Sequence, residues 1–264
     1  MVFIDQDKCI GCGACAGDCV GSRIELIDGT AHIKDPCILC GHCVAICPVS
    51  AVSIPEYDME DVETYRKETF ELSPEQLLHT IKFRRSIRDY KPEPISQHLL
   101  EELLQAGRYT ATARNSQSCH FIFVQKELDS FKQLLWDEIG SLIAAQEGSI
   151  PRELIPFASF YKRRNADRHD DFLFRNAPAL VFITADTALD AGLAAQNMEL
   201  MAVSNGLGAL YNGYLAGIAN RIPAVREWLS LSPDETIHAC MLLGYPHVFY
   251  ERTAPRRIAN VTWK

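Results

Sequence analysis

The sequence predicts an α+β protein in which a small cysteine-rich domain, residues 1–55, is followed by an acidic linker, 56–72, and a larger domain, 73–264. Two observations lead to this prediction. Eight of the ten cysteines lie between Cys9 and Cys47. In the rest of the chain, helical patterns outnumber strand-like runs and their order is mixed, which favours an α+β arrangement.

The composition excludes several classes of protein. The 264 residues include 26 lysines and arginines against 34 acidic residues, a net charge of −8, so we expect no basic face for nucleic acid. No apolar run approaches the roughly 18 residues of a membrane-spanning helix, and the N-terminus has no signal-peptide pattern. Ten cysteines without an export signal indicate a reducing compartment. We therefore expect a cytoplasmic protein that uses thiolates as ligands.

The cysteines form two copies of the pattern C-x2-C-x2-C-x3-C, which are Cys9, Cys12, Cys15, Cys19 and Cys37, Cys40, Cys43, Cys47. With small residues between the cysteines, this pattern resembles the bacterial ferredoxins that hold two 4Fe–4S clusters. In those proteins the fourth cysteine of each run serves the other cluster. The resemblance implies one cluster on Cys9, Cys12, Cys15 and Cys47, and a second on Cys37, Cys40, Cys43 and Cys19.

Zinc and disulfides are the alternatives to iron–sulfur chemistry. Zinc sites usually separate two cysteine pairs, and disulfides are not expected without secretion. Pro48 agrees with the ferredoxin pattern, whereas Val20 replaces the proline of the first run. Because the ligand cysteine beside Val20 is retained, we expect both clusters. Between the runs, apolar alternation around Asp28-Gly29 predicts a β-hairpin.

Helices and strands of the larger domain are predicted from caps and periodicity. Ser73-Pro74 predicts the start of a helix with an apolar face of Leu77, Leu78, Ile81 and Ile87, and a second helix is predicted from Ser96 to near Gly107. Apolar runs predict three buried strands, at 120–124, 178–184 and 237–246. A long helix with small residues on its faces is predicted over 190–208.

Four places in the larger domain suit a phosphorylated planar ligand. The arginines within 84–88 offer fork-shaped donors for a phosphate, and so does the PRR sequence at 255–257. The amides of Asn115 and Gln117 can read the edge of a heterocycle. The glycines within 206–213 let a flat ligand approach the backbone. Each place is weak evidence by itself, and no G-x-G-x-x-G follows a strand, so we expect no Rossmann site.

The order of these motifs resembles the nitroreductase family over essentially all of 73–264. The motifs are RRSIRDY, RNSQSCHFIFV, D-A-G-x-A-A-Q-N-M, GLG, GYP and YERTAPRR. The resemblance implies an α+β fold with a central mixed sheet flanked by helices, and FMN bound at a homodimer interface. It implies phosphate and ribityl contacts from Arg84, Arg85, Ser86 and Arg88, and further phosphate contacts from Arg256 and Arg257. It also implies that Asn115, with Gln117, faces the isoalloxazine edge, and that the backbone of Asn212 and Gly213 lies near flavin N5. No catalytic side chain is assigned.

The chain departs from the family pattern at Ser118-Cys119, where Pro-Trp often follows N-x-Q, so we expect a changed substrate pocket and an unchanged FMN site. For Cys119 we favour a small buried residue over a thiol in that pocket, and we place Cys240 in the core. The charged stretch 161–171 is interpreted as a solvated helix face. The alternative is a mobile cover that attracts an anionic substrate through Lys162, Arg163, Arg164 and Arg168.

We therefore predict an FMN-dependent oxidoreductase that passes electrons from an external donor, such as a ferredoxin or flavodoxin, through two 4Fe–4S clusters to FMN. Nitroaromatics, quinones or activated alkenes are the expected small-molecule acceptors. Two alternatives stay open. NAD(P)H reduces the flavin directly and the clusters are secondary, or the protein is a redox sensor or electron store without a dedicated substrate.

Overall fold

A computed structural model describes residues 1–146, 148–167 and 169–264 of the chain. The chain divides into two compact units. The first contains residues 1–72 together with 112–116, and the second contains 73–111 and 117–264. The short segment 112–116 therefore clusters with the cysteine-rich unit, although its sequence lies inside the predicted larger domain.

The first unit repeats one small motif twice. Strand β1 (Phe3–Ile4), helix α1 (Ala14–Asp18) and strand β2 (Ile24–Ile27) are followed by β3 (Thr30–Ile33), α2 (His42–Ile46) and β4 (Val52–Ser53). β1 pairs with β4 and β2 pairs with β3, both antiparallel. Asp28 and Gly29 join β2 to β3 with φ values of 48° and 84°, as a tight hairpin turn with two left-handed residues requires. The predicted hairpin is confirmed.

The connector that follows is exposed and only partly helical. A 3-10 turn covers Met59–Asp61 and helix α3 covers Lys67–Phe70, and neither contains a buried residue. Asp58 caps the 3-10 turn by accepting a hydrogen bond from the Glu60 N–H. The prediction that this acidic segment runs along the surface with some helix is confirmed.

The helices of the second unit are α4 (Pro74–Phe83), α5 (Gln97–Arg108), α6 (Leu128–Ala144), α7 (Ile155–Ala166), α8 (Ala188–Ser204), α9 (Gly213–Ala219) and α10 (Pro223–Trp228). The predicted starts of α4 and α5 are confirmed, because Ser73 and Ser96 accept hydrogen bonds from the N–H groups of Gln76 and Leu99. The apolar face predicted for α4 is not buried in the structure. Leu77, Leu78 and Ile81 are exposed, and Ile87 lies beyond the end of the helix.

The sheet of the second unit has the strand order β5-β6-β8-β7. Its strands are β5 (His120–Val124), β6 (Ala179–Thr184), β7 (Gly208–Tyr211) and β8 (Ile237–Gly244), and each neighbouring pair is antiparallel. A single parallel bridge joins Ser86 to Ala209. The three predicted strands are confirmed, and β7 is a fourth that its glycine-rich sequence did not indicate.

Helices cover both faces of this sheet. Leu180 and Phe182 of β6 pack into a cluster with residues of α6, α7, α9 and α10, whereas Val181 and Ile183 pack into a second cluster with α5 and α8. Alternate residues of a strand point to opposite faces, so a strand covered on both sides is apolar throughout. This explains why all six residues of β6 are buried. Among the described residues, no helix combines the length and apolar character needed to cross a membrane.

Candidate cofactor sites

Four cysteines from both runs line one cavity in the first unit. Cys9, Cys12 and Cys15 of the first run share this cavity with Cys47, the last cysteine of the second run. Cys19, the last cysteine of the first run, is not among the lining residues. The chain therefore brings together the combination of thiols that the ferredoxin resemblance implied for one cluster.

Backbone N–H groups donate hydrogen bonds to the sulfur atoms of both runs. The donors are Ala31 to Cys9 (3.3 Å), Arg23 to Cys19 (3.2 Å), Leu39 to Cys37 (3.4 Å) and Ala51 to Cys47 (3.2 Å). Such bonds stabilise a thiolate and, in iron–sulfur proteins, help to set the reduction potential. The sulfur environment suits iron–sulfur ligation.

Burial disfavours the thiolate form of Cys15 and Cys43, the most buried cysteines of the two runs. Burial raises the pKa of Cys43 to about 11, and the neighbouring Cys37 and Cys40 add to the shift. Burial also raises the pKa of Cys15, with Cys12 and Cys47 contributing. Metal binding requires the thiolate, so bound iron has to supply the positive charge that stabilises these groups.

The two runs keep the same backbone geometry despite their sequence differences. Ser22 and Ser50, each three residues after the fourth cysteine, have φ values of 50° and 51°, and both N–H groups donate to the carbonyl of that cysteine. Val20 and Pro48 therefore occupy equivalent turns. Gly11 and Leu39 also correspond, with φ values of 63° and 52°, so Leu39 adopts a left-handed conformation that glycine usually supplies.

Asn115 contacts the second cysteine loop. The side-chain amide of Asn115 donates to the carbonyls of Ile38 (3.2 Å) and Leu39 (2.9 Å), which lie between Cys37 and Cys40. Asn115 and the preceding Arg114 have left-handed φ values of 56° and 55°. From the sequence we expected this amide to contact the edge of the flavin ring. In the structure it donates hydrogen bonds to the loop between Cys37 and Cys40 instead. Sequence reasoning had no signal for this contact.

A cavity of about 430 Å³ in the second unit contains several residues expected near a flavin. Arg88, Asn212 and Gly213 line it, together with Leu210, and the sequence had singled out the first three. The lining is completed by five residues to which the sequence analysis gave no role, namely Phe172, Leu173, Arg175, Tyr211 and Tyr214. The volume and the aromatic lining are typical of a pocket for a planar organic ligand.

Asn212 holds the cavity wall in place. Its side chain accepts a hydrogen bond from the Leu215 N–H (3.0 Å) and donates to the Leu173 carbonyl (2.7 Å). Its own N–H donates to the Cys240 carbonyl at 2.8 Å. Gly213 is the first residue of α9, where an N–H has no carbonyl one turn earlier in the helix. Of these two residues, Gly213 therefore has the N–H that suits a ligand.

The first two arginines of the RRSIR motif already have protein partners. Arg84 Nη1 lies 3.1 Å from Oε1 of Glu199, whose side chain is only 1% exposed. Arg85 donates to the carbonyls of Lys82 and Arg84. Ser86 forms its bridge to β7, and Arg88 is the member of the motif that lines the cavity. The structure thus separates four residues that the resemblance grouped as phosphate and ribityl contacts.

The remaining predicted flavin contacts lie outside the cavity lining. Gln117 has a left-handed φ of 48° and follows the segment that contains Asn115. Arg256 and Arg257 are exposed in the irregular C-terminal tail, where Arg256 donates to the Pro255 carbonyl. Within a single copy of the chain, the tail arginines do not line the cavity in the part that the structure describes.

The charged stretch 161–171 is held by local contacts. Arg163 forms a two-pronged ion pair with Asp170, at 2.7 and 3.1 Å, and the Arg164 guanidinium lies 5.3 Å from the Trp136 ring centroid. Lys162 is exposed, and Arg168 lies outside the described residues. These contacts favour the interpretation as a solvated helix end.

Burial disfavours the thiolate form of both late cysteines. Cys119 is half-buried, and burial raises its pKa, with the charges of Asp190 and Asp186 adding to the effect. Cys240 is 2% exposed in β8, and burial raises its pKa strongly. The prediction that Cys240 belongs to the core is confirmed.

Comparison with known proteins gives two domain matches. Residues 1–48 match the family model described as a 4Fe-4S dicluster domain, and residues 81–245 match the one described as the Nitroreductase family. A nitroreductase with bound FMN from Bacteroides fragilis has a TM-score of 0.57 and 22% identity, over 71% of this chain and 98% of that one. A nitroreductase with bound FMN from Desulfitobacterium hafniense has a TM-score of 0.54 and 23% identity, over 71% and 98%. At such identities these likenesses show the fold.

Curated relatives match the second unit at low identity. An NADPH-dependent oxidoreductase from Staphylococcus aureus is 26% identical over 160 residues, which is 61% of this chain and 60% of that protein. An NADPH-flavin oxidoreductase from Vibrio harveyi is 30% identical over 172 residues, or 64% of this chain and 65% of the relative. This chain thus covers less than two thirds of the length of either relative. The match over 81–245 spans more than half of the chain, which therefore belongs to the nitroreductase family.

Proposed function

We propose that this protein is an FMN-dependent oxidoreductase that takes electrons from an external donor, through two 4Fe–4S clusters, to FMN and then to a small acceptor. The observation that carries the proposal is the shared cavity of Cys9, Cys12, Cys15 and Cys47. That shared cavity occurs in a chain whose second unit belongs to a family with FMN-bound members. When bound, the clusters transfer single electrons, and FMN converts them into two-electron chemistry.

The residues of the chain supply binding and orientation. The eight cysteines of the two runs would hold the clusters, and backbone N–H groups donate to the sulfur atoms of four of them, Cys9, Cys19, Cys37 and Cys47. In the second unit, Arg88 offers a positive charge to the flavin, and Gly213 offers a backbone N–H at the cavity wall. The hydrogen bonds of Asn212 hold the neighbouring backbone in place, so the Gly213 N–H is positioned before a ligand binds.

We also propose a homodimer in which the two copies complete each flavin site. Leu78 and Ile81 of α4 are 53% and 44% exposed, and Ile258 and Trp263 of the tail are 98% and 89% exposed. Large apolar side chains exposed in this number are typical of surfaces that another chain covers. Arg256 and Arg257 lie in the same tail, so a tail that reaches a second copy can bring them to a phosphate that their own chain does not contact.

The names of the curated relatives favour a second candidate for the electron donor. The relatives from Staphylococcus aureus and Vibrio harveyi are named for NADPH. In this second proposal NADPH reduces the flavin directly and the clusters are secondary, whereas in the relay proposal the donor is a ferredoxin or flavodoxin. In both proposals the expected acceptors are nitroaromatics, quinones or activated alkenes.

Substitution of one ligand cysteine in each run tests the relay. Cys12→Ala and Cys40→Ala should slow FMN reduction by reduced ferredoxin at least tenfold, as followed by flavin absorbance without oxygen, while FMN remains bound. Cys119→Ser is the control, because Cys119 lies outside both runs, and its FMN should be reduced by ferredoxin at the wild-type rate. Wild-type rates in both ligand variants, with rapid reduction by NADPH, would support direct NADPH reduction instead.

A further inference from the structure

The cavity of the second unit is lined by two guanidinium groups. Arg88 and Arg175 both line it. In the described part of the chain, neither guanidinium lies within ion-pair distance of a carboxylate. Among the described residues, Arg88 donates only to the Ser86 carbonyl, at 3.3 Å. Two guanidinium groups that line one cavity without a carboxylate partner offer donors for an anion.

The two acidic residues whose charges act on Arg175, Asp170 and Asp171, pair with other cations. Asp170 is held by Arg163 through two hydrogen bonds. Asp171 pairs with Lys132, with Nζ 2.8 Å from Oδ2, and also accepts the Asn176 N–H. Both carboxylates therefore have other cationic partners, although their charges also act on Arg175. In the described part of the chain, neither forms an ion pair with the Arg175 guanidinium.

Arg175 is held in a fixed position by its surroundings. Its guanidinium carbon lies 3.7 Å from the ring centroid of Phe172, and that ring stacks on Phe160 with centroids 4.7 Å apart. A guanidinium resting on a ring keeps its N–H donors in its own plane, so they remain available to a ligand. The backbone at Arg175 is left-handed, with a φ of 55°, which a non-glycine residue rarely adopts.

Burial and repulsion make this arrangement unfavourable without a ligand. Burial lowers the pKa of Arg175, and the charges of Arg88 and Arg163 lower it further, more than Asp170 and Asp171 raise it. An arginine nevertheless remains charged at neutral pH. A bound anion would relieve the repulsion between the two guanidinium groups that line the cavity.

We propose that Arg175 and Arg88 receive the anionic group of a flat aromatic ligand that binds in this cavity. Tyr211 and Tyr214, which also line the cavity, suit the aromatic part. The inference rests on the proposed flavin function and adds Arg175 to the site. Two sources can supply an oxyanion, namely the phosphate of FMN and a carboxylate of the acceptor.

Arg175→Met tests the proposal, because methionine can still pack on Phe172 but carries no charge. Arg175→Lys keeps the charge and loses the planar fork. Arg164→Met is the matched control, since Arg164 also stacks on an aromatic ring but does not line the cavity. Far-UV circular dichroism and thermal unfolding confirm that each variant is folded.

Two measurements distinguish the sources of the anion. The first compares the affinity of flavin-depleted, cluster-loaded protein for FMN and for riboflavin, which lacks the phosphate, by flavin fluorescence. The second compares the rates at which 4-nitrobenzoate and nitrobenzene, at equal concentrations below saturation, reoxidise the reduced flavin without oxygen. If phosphate is the anion, Arg175→Met lowers the preference for FMN over riboflavin about tenfold or more. If a carboxylate is the anion, the preference for 4-nitrobenzoate falls by a similar factor.

Whichever preference falls in Arg175→Met, FMN over riboflavin or 4-nitrobenzoate over nitrobenzene, should fall less in Arg175→Lys. Arg164→Met should retain both preferences. The proposal is overturned if Arg175→Met leaves both preferences within about twofold of the wild type. That failure is distinct from failure of the proposed function. A wild-type protein that binds neither flavin would overturn the proposed function, and this inference with it.

Discussion

Gly11 makes the closest backbone approach in the first cysteine loop. It lies between Cys9 and Cys12, and a Cβ atom added there would be 2.0 Å from the carbonyl oxygen of Gly29 in the hairpin turn. The φ of 63° adds strain for any other residue. The loop and the hairpin can pack this closely only because position 11 has no side chain.

Gly11→Ala should therefore displace the first cysteine loop and reduce the iron content of the protein by roughly half, because the implied ligands of the second cluster (Cys19, Cys37, Cys40 and Cys43) lie outside that loop. Iron and sulfide analysis and the electron paramagnetic resonance spectrum of the reduced protein measure this. Gly17→Ala is the control, since its Cβ meets no atom within 4 Å. Full iron content in Gly11→Ala would contradict the prediction.

Glu199 is a buried charge whose partners lie on three segments. It pairs with Arg84, accepts a hydrogen bond from Gln196 at 3.2 Å and is hydrogen-bonded to Tyr211. Burial raises the pKa of Tyr211, and the charge of Glu199 raises it further. The carboxylate thus ties the end of α4 to α8 and β7.

Glu199→Ala should lower the free energy of unfolding by about 3 kcal/mol, because it leaves Arg84 partly buried without a counter-charge. Urea unfolding followed by circular dichroism measures the change. Glu75→Gln is the control, because Glu75 is 81% exposed and lies 3.9 Å from His79, so the loss there should stay below about 0.5 kcal/mol. Equal losses in both variants would refute the structural role of Glu199.

At the scale of elements, Glu235 joins two strands to the turn before β8. Its carboxylate lies 2.7 Å from His120 Nδ1 of β5, accepts the Thr184 hydroxyl of β6 at 2.9 Å and accepts the Ser232 N–H at 2.8 Å. Burial raises the pKa of Glu235, but these hydrogen bonds outweigh it and lower the pKa to about 2. The charged form is therefore favoured in the folded protein.

A glutamate whose pKa is lower in the folded state stabilises the fold above its ordinary pKa of 4.5, and this stabilisation is lost as the pH falls towards 2. Glu235→Gln should lower the thermal midpoint at neutral pH, and its difference from the wild type should shrink below pH 4.5. Thermal unfolding across this range is the measurement, with the exposed Glu227→Gln as control. A difference that does not change with pH would contradict the assignment.

At the scale of the whole molecule, α4 presents apolar residues that its own chain leaves uncovered. Leu78→Asp should therefore convert the proposed dimer into a monomer and weaken FMN binding, because a charge is costly to bury at an interface. Sedimentation equilibrium measures the mass in solution. Val20→Asp is the control, since Val20 is 85% exposed in the first unit and should leave the dimer intact. A wild-type monomer would disprove the proposed assembly.

Features that depend on neighbouring residues could be predicted from the sequence. Ser73 and Ser96 cap helices because a side-chain oxygen satisfies an N–H three residues later, and Asp28-Gly29 forms a hairpin because both residues tolerate a left-handed backbone. The runs that became β5, β6 and β8 were visible because strands in a covered sheet are short and apolar. Strand β7 was not predicted, because a glycine-rich segment also suits a loop. It is a strand because it pairs with β8.

Contacts between polar residues far apart in the chain could not be predicted, because they depend on how the elements pack. Arg84 and Arg88 are neighbours in one motif, yet the first pairs with Glu199 and the second lines the cavity. Arg175 had no local signal, and Asn115 contacts a loop more than seventy residues earlier in the chain. Capping and turn formation are decided over three or four residues, so a sequence displays them directly. Charge pairing and cavity lining join residues far apart in the chain, and packing of the elements alone brings those residues together.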